Sequence, residues 1–428
     1  MTIAVEPVST APARAERLVT PAGIEVWAVH SQVVPVAAMS FIFEGGASQD
    51  PMDRPGTAQM MAQLLDEGAG PYPSDAYQEK LAEAAIELSF NAGQDSISGG
   101  LRTLTRNLDA AITLTRLALV EPRFDEEAIT RVRAQTSAGI RYQQNDPGVR
   151  ATRTFFATAF PGHIYGMPNA GTLESVEAIT RDDLVAAHGK LIARNNLKVA
   201  VVGALDEAQI IALVDGVFGD LPATAQITAP PAATLAGLGT RRVVDLDVPQ
   251  SVIRFGMNGI GWRDPDFIPA FVLNHMLGGG VFTSRLFQEV REKRGLAYSV
   301  GTGLVSLRGA AMTWGFTATK NERVAEALEV IAGEIDKLKT QGPSAEELTK
   351  AKAYLTGSYP LAFDTSTKIA QQLAQIAFEE LGIDYIARRN ALVSAVSHDD
   401  VMRAAERVLG DGRMLVVVAG RPEGLAGD

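Results

Sequence analysis

The sequence contains no cysteine. This excludes thiol catalysis, thiolate metal ligands and structural disulfides, and it is compatible with a reducing compartment. Histidine is scarce: His30, His163, His188, His275 and His398 are the whole complement, and no two are close enough in sequence to share a turn of helix. No HxxEH or HExxH pair exists, so a catalytic zinc would have to gather single histidines from distant segments. No run of 18 apolar residues is present, so no transmembrane helix is expected. Positive charge is in deficit, 39 Lys and Arg against 50 Asp and Glu, for a net charge of −11. That balance argues against a nucleic-acid partner and suits neutral or basic peptides. No GxGxxG opens a helix after a strand and no Walker-type GxxxxGK[ST] occurs, so nucleotide binding has no support. The LGGG at 277–280 is expected to form a turn or permit close packing.

The rest is ordinary for a globular chain: 428 residues, 46% hydrophobic and 21% charged. This length suggests two to four domains, with cores large enough to need no disulfide. The N-terminal MTIAVEPVSTAPARAERL lacks a basic region followed by an apolar stretch and does not match a signal peptide. With Met1 as the natural start the expected compartment is the cytoplasm; with an export segment trimmed away, it is the periplasm.

Residues 221–240, LPATAQITAPPAATLAGLGT, carry no charge and little periodicity, as a linker would. The halves on either side run in parallel. VAAMSFIF at 36–43 corresponds to SVIRFGMN at 251–258, and Asp50-Pro51 to Asp264-Pro265. Gln78-Glu79 corresponds to Gln288-Glu289, and Glu126-Glu127 to Glu346-Glu347. TRDDLVAAHGKLI at 180–192 matches SHDDVMRAAERVL at 397–409, each opening on a variant capping box, Thr180 with Asp183 and Ser397 with Asp400. Each of these helices feeds a Val-rich strand, LKVAVVG at 197–203 and RMLVVVAG at 413–420. Repeated matches in one order indicate a duplicated α+β unit, with domains expected at 16–220 and 241–421.

Several stretches carry a specific resemblance: VPVAAMSFIFEGGASQDP at 34–51 with GTAQMMAQLLDEGAG at 56–70, FPGHIYGMPNAGTLESVEAITRDDL at 160–184, and LGGGVFTSRLFQEVREKRGLAYSV at 277–300. With them the chain resembles the M16 peptidases, which include the pitrilysin and mitochondrial-processing-peptidase branches, over about residues 16 to 421. The resemblance implies two M16-type α/β-roll domains. Active members carry HxxEH on a helix after the first strands, where two His at i and i+4 bind one zinc and the Glu is the general base. A second Glu, some 75 residues on, completes the ligands. Here the motif positions are Gln59, Ala62 and Gln63, and the distal ligand falls at Ala138 or Gly139. Asp66 and Glu67 follow, but LLDEG has the character of a helix end. The resemblance thus implies no metal in this chain.

The family's second half supplies an Arg and a Tyr, with six residues between them, that hold the substrate peptide near the zinc. Arg291 and Tyr298 have that spacing, with Lys293 and Arg294 as alternatives to Arg291. Locally, Thr283 or Ser284 could cap a helix running to Arg294, Gly295 suits the left-handed position after it, and LAYSV at 296–300 would start a strand with Tyr298 just inside it. Taken alone, the same pattern also fits an Arg favouring a helix C-terminus and a Tyr packed in a sheet. The resemblance implies a non-catalytic, substrate-binding subunit paired with an HxxEH-bearing chain of similar length, which would hold the zinc, and a peptide or small-protein substrate. The alternatives are a structural M16 scaffold and a peptide-binding homodimer.

Overall fold

Two Val-rich runs, Leu197–Gly203 and Leu415–Gly420, are almost wholly buried because each becomes an inner strand covered on both faces. Two-faced burial selects continuous apolar sequence over alternation. The edge strand Glu87–Ala92 instead alternates between exposed and half-buried positions. The computed structural model describes residues 15–32 and 34–425. The segment considered above as a signal peptide lies, up to residue 14, outside the described residues.

The first sheet has the order Glu16–Val19, Glu25–His30, Leu197–Gly203, Val36–Glu44, Ser96–Leu104, Glu87–Ala92. The second has Arg241–Asp245, Leu415–Gly420, Gln250–Asn258, Ala311–Lys320, Val300–Ser306. Apart from the extra first strand, the second sheet repeats the first strand for strand. Each contains one parallel pair at the same place, Glu25–His30 with Leu197–Gly203 and Arg241–Asp245 with Leu415–Gly420. The α+β class and the duplication are therefore present in the fold. Both capping boxes form, with Thr180 and Ser397 accepting from the backbone N–H of Asp183 and Asp400.

One face of each sheet packs on helices of its own half. Met39, Phe41, Phe43, Val199 and Val201 face the helices Thr57–Leu64, Leu108–Val120 and Glu207–Phe218. Ile253, Phe255, Met257, Val416 and Val418 face Phe267–Asn274, Val324–Gln341 and His398–Leu409. The other faces are covered across the halves. Trp27, Ile42, Ala200 and Val202 of the first sheet pack on Leu373, Ala374 and Ala377 of the helix Ser366–Phe378. Leu415, Val417 and Ala419 of the second pack on Ala151, Phe155 and Ala159 of the helix Pro147–Ala159. Gly256 permits this approach, since a Cβ there would stand 2.4 Å from the Phe155 ring.

A polar cluster also spans the halves. The Asp95 carboxylate accepts from the Tyr165 hydroxyl at 3.0 Å and from the Arg308 backbone N–H at 2.8 Å. Gly309 N–H in turn donates to the Tyr165 oxygen at 2.9 Å. The Arg308 guanidinium pairs with Glu44 at 2.9 Å and lies 4.0 Å from the Phe378 ring centroid. Burial pushes the Tyr165 hydroxyl pKa up, with the neighbouring Asp95 charge adding to it. Between Phe218 and Arg241 the chain forms neither helix nor strand. It is tied down by backbone bonds from Ala233 N–H to Gly309 O at 2.8 Å and from Ala236 N–H to Ala159 O at 2.9 Å.

Candidate functional site

The helix that would carry a zinc motif spans Thr57–Leu64. Its start is organised by Asp50, whose carboxylate accepts from Gly56 N–H at 2.8 Å and Ala58 N–H at 2.9 Å. Burial raises the Asp50 carboxyl to about 7, against the lowering effect of those N–H groups. Gln59 is half-buried, Ala62 has no exposed surface, and Gln63 is exposed. The Gln63 side-chain oxygen accepts from the Thr136 hydroxyl at 3.4 Å, from the helix Glu126–Gln143 alongside. Ala138 and Gly139, on that second helix, are exposed and offer no donor atom.

These residues do not fit a catalytic zinc. The motif positions supply two neutral amides and a methyl group, where the metal needs imidazole and carboxylate. The nearby acids are not arranged as substitutes. Glu67 accepts two bonds from Arg131, at 2.9 and 2.7 Å, and one from the Ser74 hydroxyl at 2.5 Å. Arg131 holds its carboxyl below the usual range. Asp66 is pushed up to about 6 by burial, with the charge of Glu67 adding to it. Among the described residues no cluster of three or more His, Asp or Glu could hold a metal. Four of the five histidines have structural settings. His30 and His188 bond backbone carbonyls, His163 caps the turn at Tyr165, and His275 stacks on Tyr354.

The fold does bring Arg291 and Tyr298 together. Arg291 lies on the π-helical turn Phe287–Glu292. Its guanidinium carbon is 4.7 Å from the Phe287 ring centroid and 4.9 Å from that of Tyr298. Each such contact is worth about 0.5–1 kcal/mol at an exposed site, so two rings together hold the guanidinium. Glu292 is 3.6 Å away. Phe287 in turn packs edge-on against exposed Phe282, with centroids 5.4 Å apart. Lys293 and Arg294 are both tied to Glu289, which leaves Arg291 as the cation beside Tyr298.

Two local expectations are corrected. Neither Thr283 nor Ser284 caps a helix to Arg294: the Ser284 hydroxyl is buried without a partner, and the helical hydrogen bonding widens to π geometry and ends at Glu292. Tyr298 is not in the strand, which begins at Val300. Leu296 and Ala297 turn into the core and the Leu296 N–H bonds back to Val290 O at 2.8 Å, so the chain crosses the helix end before pairing. Tyr298 is left 84% exposed. Gly295 does adopt the left-handed conformation, at φ 58°, where a residue with a side chain would be strained. The LGGG glycines are closely packed; a Cβ on Gly278 would meet Thr302 at 2.6 Å.

Residues 178–355 match the family described as Peptidase M16 inactive domain. A non-peptidase homologue of Helicobacter pylori, YmxG, is 27% identical over 78% of this chain and 77% of its own length. A protein of Streptomyces coelicolor named only as an uncharacterised zinc protease is 28% identical over 74% of this chain and 70% of its own. In three dimensions the chain is similar to the crystal structure of a peptidase M16 inactive domain from Pseudomonas fluorescens, with a TM-score of 0.88, 26% identity, and coverage of 97% of this chain and 99% of that one. The family match at residues 178–355 and the structural likeness over nearly the whole length agree: this chain is similar to the M16 peptidase inactive-domain proteins, as a homologue whose sequence carries no HxxEH motif.

Proposed function

We propose that this chain is the substrate-binding subunit of a two-chain M16 peptidase and that Arg291 and Tyr298 complete the active site of its partner. The partner would be an HxxEH-bearing chain of similar length, and the zinc would be its own. The division into units at 16–220 and 241–421, with 221–240 between them, belongs to the same reading. It is supported by two sheets of matching topology.

The observation that carries the proposal is the Arg291–Tyr298 stack. A solvent-facing tyrosine is set against a guanidinium that also contacts the Phe287 ring. A purely structural Tyr would bury its ring; this one leaves its hydroxyl accessible. In peptide cleavage the scissile carbonyl oxygen gains negative charge as it is attacked. The Tyr298 hydroxyl can donate to that oxygen, and the Arg291 N–H groups can hold a neighbouring carbonyl or carboxylate. The partner's metal would supply water activation.

No helix among the described residues is long and apolar enough to cross a membrane. The pairing is tested by co-purification. A tagged chain should recover an HxxEH protein of similar length, and peptidase activity should appear only in the mixture. Recovery of membrane-complex subunits without peptidase activity would favour the scaffold instead.

A further inference from the structure

Three cations crowd the turn before Tyr298: Arg291, Lys293 and Arg294. Glu289 determines which of them is presented. Its carboxylate, with a side chain only 16% exposed, accepts from the Lys293 ammonium and from the Arg294 guanidinium. These two partners, Lys293 first, hold it below the usual carboxylate range. The widened helix adds a further tie. The Lys293 N–H bonds to Gln288 O at 2.9 Å, where an α-helix would bond it to Glu289 O. The Arg294 guanidinium donates to that Glu289 carbonyl oxygen at 3.0 Å. Arg291 differs from both. Its side chain makes no hydrogen bond among the described residues; it contacts the Phe287 and Tyr298 rings, and Glu292 lies 3.6 Å away.

We infer that Glu289 is a positioning residue that sets specificity: it withdraws Lys293 and Arg294 from the substrate and leaves Arg291 as the cation offered beside Tyr298. The inference rests on the reading of Arg291 and Tyr298 as the substrate-holding pair. A single guanidinium with its N–H donors unspent suits a peptide carbonyl, which is a neutral acceptor. Three free cations on neighbouring residues would form a positive patch that draws in acidic segments by charge alone. They would also compete for one carbonyl, so the chain would be gripped in several positions instead of one. By spending the donors of two cations, Glu289 favours neutral peptide over acidic peptide at this site.

Two readouts test this. In the first, the purified chain without any partner is treated with phenylglyoxal, which modifies guanidinium groups, and the modified arginines are mapped by mass spectrometry. The side chains of Arg291 and Arg294 are similarly exposed, 32% and 39%, so unequal rates report pairing. Arg291 should react about fivefold faster than Arg294, the size of one partly exposed ion pair, and Glu289→Gln should bring Arg294 level with it. In the second, the pair reconstituted with an HxxEH chain is given two acetylated, amidated pentapeptides, Ser-Ala-Phe-Ala-Ser and Ser-Glu-Phe-Glu-Ser. Glu289→Gln should raise the acidic-to-neutral ratio of kcat/KM about fivefold, mainly through KM. Adding Lys293→Gln and Arg294→Gln to it should return the ratio to that of the wild type, and Glu289→Asp should stay near it. A residue that merely props up the turn would not be rescued by removing its two partners as well. Glu83→Gln makes the same charge change in an exposed pair with Lys80 in the first half and should leave the ratio alone. Equal reactivity of Arg294 in the wild type and Glu289→Gln, an unchanged ratio in Glu289→Gln, no return of the ratio in the triple variant, or the same rise in Glu83→Gln would each overturn the inference. If no pair forms, the reading of Arg291 and Tyr298 as donors to a partner fails, and the phenylglyoxal pattern still decides whether Glu289 withdraws Arg294.

Discussion

The Arg291 guanidinium carbon lies 4.9 Å from the centroid of the Tyr298 ring, although the two residues belong to different local structures. One ends a π-helical turn and the other precedes a strand. The left-handed Gly295 between them reverses the chain tightly enough for the side chains to meet. The Phe287 ring, also in contact with the guanidinium, limits its freedom, so less rotamer entropy remains to be lost when it grips a substrate. Arg291→Lys should therefore be a poor replacement, because an ammonium lacks the planar face that meets the two rings.

The purified chain should hold no stoichiometric zinc and cleave no peptide. Gln59, Ala62 and Gln63 offer no ligand set, and Ala138 and Gly139 offer no third ligand. Elemental analysis of the isolated protein checks this. About one zinc per chain, removable together with peptidase activity, would contradict it.

Restoring the motif should not restore the enzyme. In the triple variant Gln59→His, Ala62→Glu and Gln63→His, the distal ligand would still be missing. Ala62 also has no exposed surface, so a glutamate there buries a carboxyl group where a methyl now fits. Overpacking and desolvation together should cost about 3 kcal/mol. Thermal melting should show a destabilised variant, and peptidase assays should show little activity. A stable triple variant as active as a natural HxxEH chain would mean that the distal ligand lies elsewhere.

Asp66 should make stability depend on pH. Its folded-state pKa is raised to about 6 by burial, above the unfolded value of about 3.9. The folded state therefore favours the protonated form, and the contribution of Asp66 falls as pH rises from about 4 to about 6. Asp66→Asn removes that loss. Its unfolding free energy should exceed wild type by about 2 kcal/mol at pH 8 and match it near pH 4. Denaturant titrations at the two pH values measure the difference; an equal effect at both would show that folding does not raise the Asp66 pKa.

Much of this was visible in the residues. The Val-rich runs at 197–203 and 413–420 signalled strands, and their inner places in the sheets account for the continuous apolar sequence. The Thr180 and Ser397 capping boxes signalled helix starts because their bonds are local. The lack of a helical His pair needed only a count of five histidines. What escaped depends on distant contacts. LAYSV looks like a strand, yet Leu296 and Ala297 are drawn into the core first, which displaces Tyr298 from the sheet. The exchange of the helices Pro147–Ala159 and Ser366–Phe378 between halves leaves no local signal, because their apolar stripes resemble those of helices packed at home. The Asp95–Tyr165–Arg308 cluster is assembled from segments far apart in the chain.

The central claim is that this chain supplies chemistry to a partner's site, and the kinetics of the reconstituted pair test it most directly. Tyr298→Phe keeps the ring and its contact with Arg291 but removes the hydroxyl donor. It should lower kcat by about 10²–10³, the usual effect of losing one donor to a developing oxyanion, with little change in KM. Arg291→Ala should raise KM as well as lower kcat. Both variants should still form the complex, and neither should release the partner's zinc. If both associate normally and cleave at wild-type rates, Arg291 and Tyr298 take no part in the reaction and the chain contributes architecture alone.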